Sequence, residues 1–325
     1  MSEQSLYLNA LRQFGEQHPF PEDLPGLYEP CSYMLALGGK RMRPLAVLMA
    51  CRLFSDSFEE ALPTAWAVEL FHNFTLMHDD IMDAAPLRRG KPTVHTKWNT
   101  TTGILSGDVM LIHAYRFLAQ HEHPAVVHTL LNTFNRVAIG VCEGQQMDVD
   151  FEARNDVTVE EYLRMIELKT AVLLGGALEM GAACARAPLA DTEALYHFGR
   201  LAGIAFQIQD DLLDTYGDPE KFGKQVGGDI IQNKKTLLTL RTFEVANADD
   251  RAALHLLMQT GAEDAEAKIQ AVRTLYNRND IPARIRAEKE QYQQEAFRYF
   301  EQVSVPETRK KALRTLMEDL FVREV

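Results

Sequence analysis

Cysteine is scarce: Cys31, Cys51, Cys142 and Cys184 are the four in 325 residues. No two stand in CxxC spacing, which argues against a zinc ribbon and against a disulfide framework. They read as reduced thiols in or near the core. No apolar run reaches the eighteen or so residues of a membrane span, and the opening MSEQSLYLNALRQFGEQ lacks a signal-peptide pattern. A soluble, cytoplasmic chain is the expectation. Cations are outnumbered, 34 Lys and Arg against 46 Asp and Glu, and the net charge of −12 argues against nucleic acid or an anionic membrane surface as the main partner. Alternating β-branched runs are missing too, so no strands are expected. With no repeat, linker or low-complexity tract to split it, the whole span 1–325 reads as one domain, and 46% hydrophobic content suffices for a large core.

What is there is helix. Apolar periodicity, caps and breakers predict helices over 5–17, 31–37, 45–54, 61–82, 100–120, 126–151, 158–184, 191–216, 281–302 and 307–321, with Thr158 and Asp191 as N-caps. The stretch HPFPEDLPGLYEP, with Pro19, Pro21, Pro25 and Pro30, is expected to be irregular. The fold class is therefore all-α.

Two acidic clusters organise this helical chain. In HNFTLMHDDIMDAAPLRRGK, from His72 to Lys91, Asp79 and Asp83 stand four apart, with Asp80 beside them. On a helix such a pair shares a face at a separation of about 6 Å, suited to bridging hard divalent cations. The same DDxxD spacing returns in AFQIQDDLLDTYGD as Asp210, Asp211 and Asp214. One such cluster can be no more than a solvated helix end. Two matching acidic faces set opposite each other would hold metal ions and present them to a diphosphate.

Positive charge is concentrated near these clusters. In GGKRMRP the paired glycines permit a sharp turn, and Lys40, Arg41 and Arg43 stand where a helix start offers free N–H groups to an anion. The spacing is not that of a Walker A loop. Past Pro86, Arg88 and Arg89 can grip phosphate bidentately. His72 lies seven residues before Asp79, on nearly the same helix face, and is either a satisfied core histidine or a third ligand there. Glu167-Leu168-Lys169-Thr170 opens onto a small-residue segment with Gly175, Gly176 and Gly181, which serve close packing or make room for a ligand. In GKQVGGDIIQNKKT, glycines mark a loop, and Lys224, Lys234 and Lys235 return positive charge beside the second cluster. Such a loop can close over a bound diphosphate and exclude water, or simply be surface.

The motifs LALGGKRMRP, LMHDDIMDAAPLRRGKPTVH, ELKT, FQIQDDLLD and GKQVGGDIIQNKKT, in this order, resemble those of the trans-isoprenyl (polyprenyl) diphosphate synthases. The resemblance implies a single all-α domain of the isoprenoid synthase fold, a dozen or so helices around a deep central cavity, usually as a homodimer. It implies three Mg2+ ions gripped by the two acidic clusters, with Asp79, Asp83 and Asp210 as direct ligands and Asp80, Asp211 and Asp214 as ligands through water or supports. Arg88 would bind the allylic diphosphate. Lys40, Arg43, His72 and Arg89 would bind isopentenyl diphosphate, and Lys169, Thr170, Gln207, Lys224 and Lys234 match positions lining the allylic site.

The implied reaction is head-to-tail condensation of isopentenyl diphosphate with dimethylallyl, geranyl or farnesyl diphosphate. In the family the residue five before the first aspartate commonly acts as a floor to the product; that residue is Phe74, with Thr75 next to it. The cluster also lacks the two-residue insertion of many bacterial farnesyl diphosphate synthases. The pattern resembles geranylgeranyl (C20) synthases, with C15 the nearest alternative. Ideal helix geometry places Phe71 nearer the Asp79 line than Phe74, so either aromatic can be the floor. Two rival readings exist. A class I terpene cyclase has no use for a second diphosphate site such as GGKRMRP. A non-catalytic regulatory subunit tends to have degraded acidic clusters, and both are intact here.

Overall fold

The computed structural model describes residues 3–218, 226–261 and 264–321. Its helices are α1 (Glu3–Gln17), α2 (Pro25–Ala36), α3 (Met42–Phe54), α4 (Leu62–Met82), α5 (Val94–Lys97), α6 (Thr100–Leu118), α7 (Pro124–Ala153), α8 (Val159–Ile166), α9 (Val172–Cys184), α10 (Leu189–Tyr216), α11 (Gly228–Ile231), α12 (Leu237–Val245), α13 (Ala248–Leu257), α14 (Ala265–Arg278), α15 (Ile281–Glu301) and α16 (Glu307–Phe321). The all-α expectation holds. Among the described residues no helix is long and apolar enough to cross a membrane.

Four local expectations need correction, one of them the Asp191 cap: Asp191 lies inside the first turn of α10 and its carboxylate accepts from the Ser304 N–H and hydroxyl. The first helix after the proline-rich stretch begins at Pro25, inside the segment read as irregular. Proline suits a first helical position because its missing N–H has no intrahelical partner there, whereas Pro30, inside the helix, withholds an N–H from the Gly26 carbonyl. The predicted helix over 158–184 is interrupted by a π turn at Glu167–Ala171. The basic loop after Asp83 is a small antiparallel hairpin, β1 (Leu87–Arg88) on β2 (Lys91–Pro92). Its turn residues Arg89 and Gly90 both have positive φ, 52° and 74°, as a two-residue hairpin turn requires. Strands of two residues are too short for alternation to reveal them.

The chain groups into two compact units, one of residues 1–135, 177–193 and 304–313, the other of 136–176, 194–303 and 314–325. In the first, α3 is buried from Pro44 to Cys51, and α4 packs closely along α6. Glycines on α6 permit that approach: a Cβ on Gly107 would overlap the His78 ring, and one on Gly103 would lie 2.8 Å from Ile81 Cδ1. In the second unit, Tyr162, Ile166, Ile208, Leu212, Leu238, Val272, Tyr276 and Ile285 form a continuous apolar core. The acidic residues of α10 are carried on the helix that supplies Ile208 and Leu212 to that core, which fixes its rotation.

Candidate active site

In the first unit, Asp79 and Asp80 occupy the last turn of α4 and Asp83 is its C-cap. Their environments differ. Asp80 is buried, and Arg88 holds it with Nε at 2.9 and 2.8 Å from the two carboxylate oxygens and Nη2 at 2.8 Å. Asp79, partly open, lies 3.6 Å from the same guanidinium. Burial pulls the Asp80 carboxyl above its usual range and Arg88 pulls it back. Arg88 is therefore aimed across the carboxylates by the hairpin.

The GGKRMRP segment is folded as a tight turn that gathers Lys40, Arg41 and Arg43 at the start of α3. Gly38 and Gly39 take φ of 82° and 131°, and Arg41, N-cap of α3, takes 52°. Arg89 donates to the Gly38 carbonyl and its Nη2 would lie 2.8 Å from a Cβ on Gly39, where the φ of 131° is what requires glycine. Arg41 turns inward, donating to the buried Glu69 carboxylate and, at 2.5 Å, to the Leu35 carbonyl. Lys40 stays exposed, Arg43 sits against His72, and the Arg43 Nε is a buried donor with no hydrogen-bond partner. A buried guanidinium N–H left unpaired is costly unless a ligand accepts it.

His72 Nε2 lies 3.2 Å from Arg43 Nη1, so it accepts and the ring is neutral. Burial, then the charge of Arg43, hold the His72 pKa well below its ordinary value. An unfolded chain takes up a proton here as pH falls below about 6.5, whereas the folded chain does not, so stability is lost on acidification by at most about 1.4 kcal/mol per pH unit. Denaturant melts at pH 7.5, 6.5 and 5.5 are expected to show a shallower fall for His72→Gln than for the parent. Parallel curves would refute this assignment.

In the second unit, Asp211 is buried and accepts from Tyr162 Oη at 2.5 Å and Gln207 Nε2 at 3.3 Å. Burial, with Asp229 nearby, pushes its carboxyl up to about 8. Asp214 Oδ1 accepts the Asp229 N–H at 2.9 Å, and its carbonyl accepts from Gly227 at 2.6 Å, tying α10 to α11. The π turn presents Lys169, 2.6 Å from Asp148, and Thr170, whose hydroxyl donates to Gln207 Oε1 at 3.4 Å. Thr170, Gln207, Asp211 and Tyr162 thus form one hydrogen-bonded chain. Lys234 lies 3.9 Å from Asp229, while Lys235 is engaged by the Phe151 and Glu152 carbonyls. Lys224 falls outside the described residues.

The aromatic residues of α4 are distinct. Phe71 is fully enclosed against Phe134, ring centroids 5.0 Å apart, whereas Phe74 keeps 9% of its surface and packs on His78 at 4.7 Å. Thr75 donates its hydroxyl back to the His72 carbonyl at 2.8 Å. Sequence reasoning missed Glu69, Asn73, Asp148 and Tyr162, the partners of the recognised cations and carboxylate. The signal for Asp148 was present in EGQQMDVD, but nothing in the sequence links it to Lys169.

The chemistry of the donor set fits a hard cation: both clusters offer carboxylate oxygens and no thiolate. Among the described residues no three His, Cys, Asp or Glu side chains form a ready metal site.

A helical scaffold with two DDxxD groups and a separate cation cradle is that of an isoprenoid synthase. The family model for polyprenyl synthetases matches residues 25–275, and the chain belongs to that family. It is 42% identical over 225 residues to a geranylgeranyl diphosphate synthase of Methanosarcina mazei, covering 69% of this chain and 68% of that protein. It is 40% identical over 243 residues to a short chain isoprenyl diphosphate synthase of Methanocaldococcus jannaschii, covering 74% of each. A crystal structure of a geranylgeranyl pyrophosphate synthase matches with a TM-score of 0.95 at 43% identity, covering 100% of both chains.

Proposed function

We propose that this chain is a Mg2+-dependent trans-prenyltransferase that condenses isopentenyl diphosphate with an allylic diphosphate and releases geranylgeranyl diphosphate. The observation that carries the reading is the Arg43 Nε, a buried donor without a partner beside neutral His72 and the GGK turn. It supports a second anion site apart from the acidic clusters, which a cyclase does not need.

Asp79, Asp83 and Asp210 would be the direct ligands of bound Mg2+, three ions by the family resemblance, which would supply charge neutralisation to the allylic diphosphate and so make pyrophosphate a good leaving group. Asp80, Asp211 and Asp214 orient them or hold water, in keeping with the protein partners each already has. Arg88 adds a fixed positive charge on the allylic diphosphate. Lys169, Lys224 and Lys234 add further positive charge on the same diphosphate. Lys40, Arg43, His72 and Arg89 bind isopentenyl diphosphate. Thr170 and Gln207 direct their oxygen dipoles at the allylic cation, while apolar surroundings keep water away. The isopentenyl double bond attacks that cation, and the departed pyrophosphate takes the final proton, so no protein nucleophile is needed. The span 1–325 acts as one catalytic domain.

Phe74 is the floor on the family pattern, five residues before Asp79, while Phe71 packs edge-on against Phe134. The enzyme acts as a cytoplasmic homodimer. Supporting this, α6 leaves Leu105 and Ile112, one helical face apart by seven residues, 54% and 63% exposed, a face that a second copy would cover; sizing of the purified protein tests it.

Purified protein incubated with isopentenyl diphosphate and each allylic primer should yield a C20 diphosphate with Mg2+ and nothing after chelation. Phe74→Ala should lengthen the product, whereas Phe71→Ala should instead cost about 3–5 kcal/mol of stability. A parent enzyme making chains beyond C25 would overturn the floor, and hydrocarbon products would overturn the transferase.

A further inference from the structure

Lys169 and Thr170 stand on a π turn, and π turns lack the favourable packing of an α-helix, so something must hold this one in place. Three features of the second unit do so. On α7, Gly140 and Gly144, one helical turn apart, leave a notch: a Cβ on Gly144 would overlap the Lys169 backbone nitrogen and lie 2.8 Å from Leu168 Cβ, and one on Gly140 would press on Leu168 at 3.3 Å. On α10, Gly203 leaves a second notch, where a Cβ would lie 2.6 Å from Ala171 Cα. Between these backbone contacts, Arg200 Nη1 on α10 reaches Glu167, first residue of the π turn, at 3.0 Å, with Arg164 at 3.3 Å on the same carboxylate. Both members of the Arg200–Glu167 pair are about four-fifths enclosed, at 21% and 19% side-chain exposure.

We propose that Gly144, Gly203 and the Arg200–Glu167 ion pair are positioning residues that seat the π turn, setting where Lys169 meets the allylic diphosphate and Thr170 the developing cation. This rests on the roles proposed above for Lys169 and Thr170. The two glycines admit the backbone at the middle of the turn, at Lys169, and at its end, at Ala171. The ion pair fixes its start. Asp148, 2.6 Å from the Lys169 amine, holds that side chain until phosphate oxygens replace it. A misplacement of about 1 Å at such a group can cost about 100-fold in rate.

The test is steady-state kinetics of the full-length enzyme with Mg2+, varying farnesyl and isopentenyl diphosphates separately, for Gly144→Ala, Gly203→Ala, Arg200→Gln, Arg200→Lys and Lys169→Ala. Expected for Gly144→Ala and Arg200→Gln is a fall of about tenfold to 100-fold in kcat/KM for the allylic substrate, with KM for isopentenyl diphosphate held within about twofold and Arg200→Lys recovering much of the loss. Should the glycine variants fail to fold, Arg200→Gln decides, since its side chain reaches solvent. Allylic kcat/KM within about twofold of the parent, while Lys169→Ala is impaired, overturns the seat alone. A loss spread equally over both substrates together with lowered thermal stability also overturns it, because that is a merely structural effect. An unimpaired Lys169→Ala overturns the reading on which the seat rests.

Discussion

Asp79→Ala and Asp210→Ala are each expected to lower turnover by about 1,000-fold while leaving the protein folded. The size follows from what a metal-bound carboxylate does in this reaction. Lewis-acid stabilisation of a leaving pyrophosphate is worth several kcal/mol, and about 4 kcal/mol corresponds to about three decades of rate. For Asp79→Ala the fold is expected to survive because that partly open carboxylate is not the main partner of Arg88. Arg88, near Asp79, retains its three close contacts to Asp80 when Asp79 is removed. Asp80→Ala is different, since it strips a partly buried guanidinium of its partner, and it should lose stability along with activity. Isothermal titration of Mg2+ with a non-hydrolysable allylic diphosphate, beside turnover and thermal melts, separates the cases. Near-parental turnover in either Asp79→Ala or Asp210→Ala would remove the basis of the proposed chemistry.

The second large effect is on stability. Glu69→Ala is expected to cost about 3–5 kcal/mol, the usual penalty for stripping one partner from a buried ion pair. Glu69 is 2% exposed and accepts from Arg41 and, at 2.5 Å, from Asn73. Burial raises its pKa against the pull of Arg41, Asn73 and Arg43. Arg41 holds a left-handed backbone conformation that a non-glycine residue adopts at a cost of about 1–2 kcal/mol, and the carboxylate is what compensates for it. Once Glu69 is gone, the GGKRMRP turn loses its inner anchor, and KM for isopentenyl diphosphate should rise as stability falls. The double variant Arg41→Met with Glu69→Leu should recover stability without recovering that KM, because the pair is replaced by apolar packing. Denaturant melts showing Glu69→Ala within about 0.5 kcal/mol of the parent would contradict this account.

The two predictions separate groups that the sequence presents alike. Asp79 and Asp80 are adjacent letters, yet one is partly open and the other locked by Arg88. Arg41 and Arg43 are two apart in a single basic run, yet Arg41 supports the fold through Glu69 and Arg43 keeps a free buried N–H. Side-chain direction decides this, and spacing along a turn with three positive-φ residues does not report it.

By itself the sequence determined the helical class, because the apolar period of 3.6 persists through almost every segment and alternation is missing. It determined the pair of acidic groups, because DDxxD on a helix places carboxylates on one face wherever the helix goes. It also determined the excess of cations at GGKRMRP and LRRGK within a chain of net charge −12. Tertiary structure alone decided which of these groups are committed to partners. Glu69, Asp148, Tyr162 and Arg200 lie 28, 21, 49 and 33 residues from Arg41, Lys169, Asp211 and Glu167, the groups they engage. Pairing over such separations is set by how helices pack and where glycines let them approach, and local periodicity carries no record of that. The π turn under Lys169 has the same origin: ELKT is an ordinary helical run by composition, and notches on two neighbouring helices make room for its extra backbone.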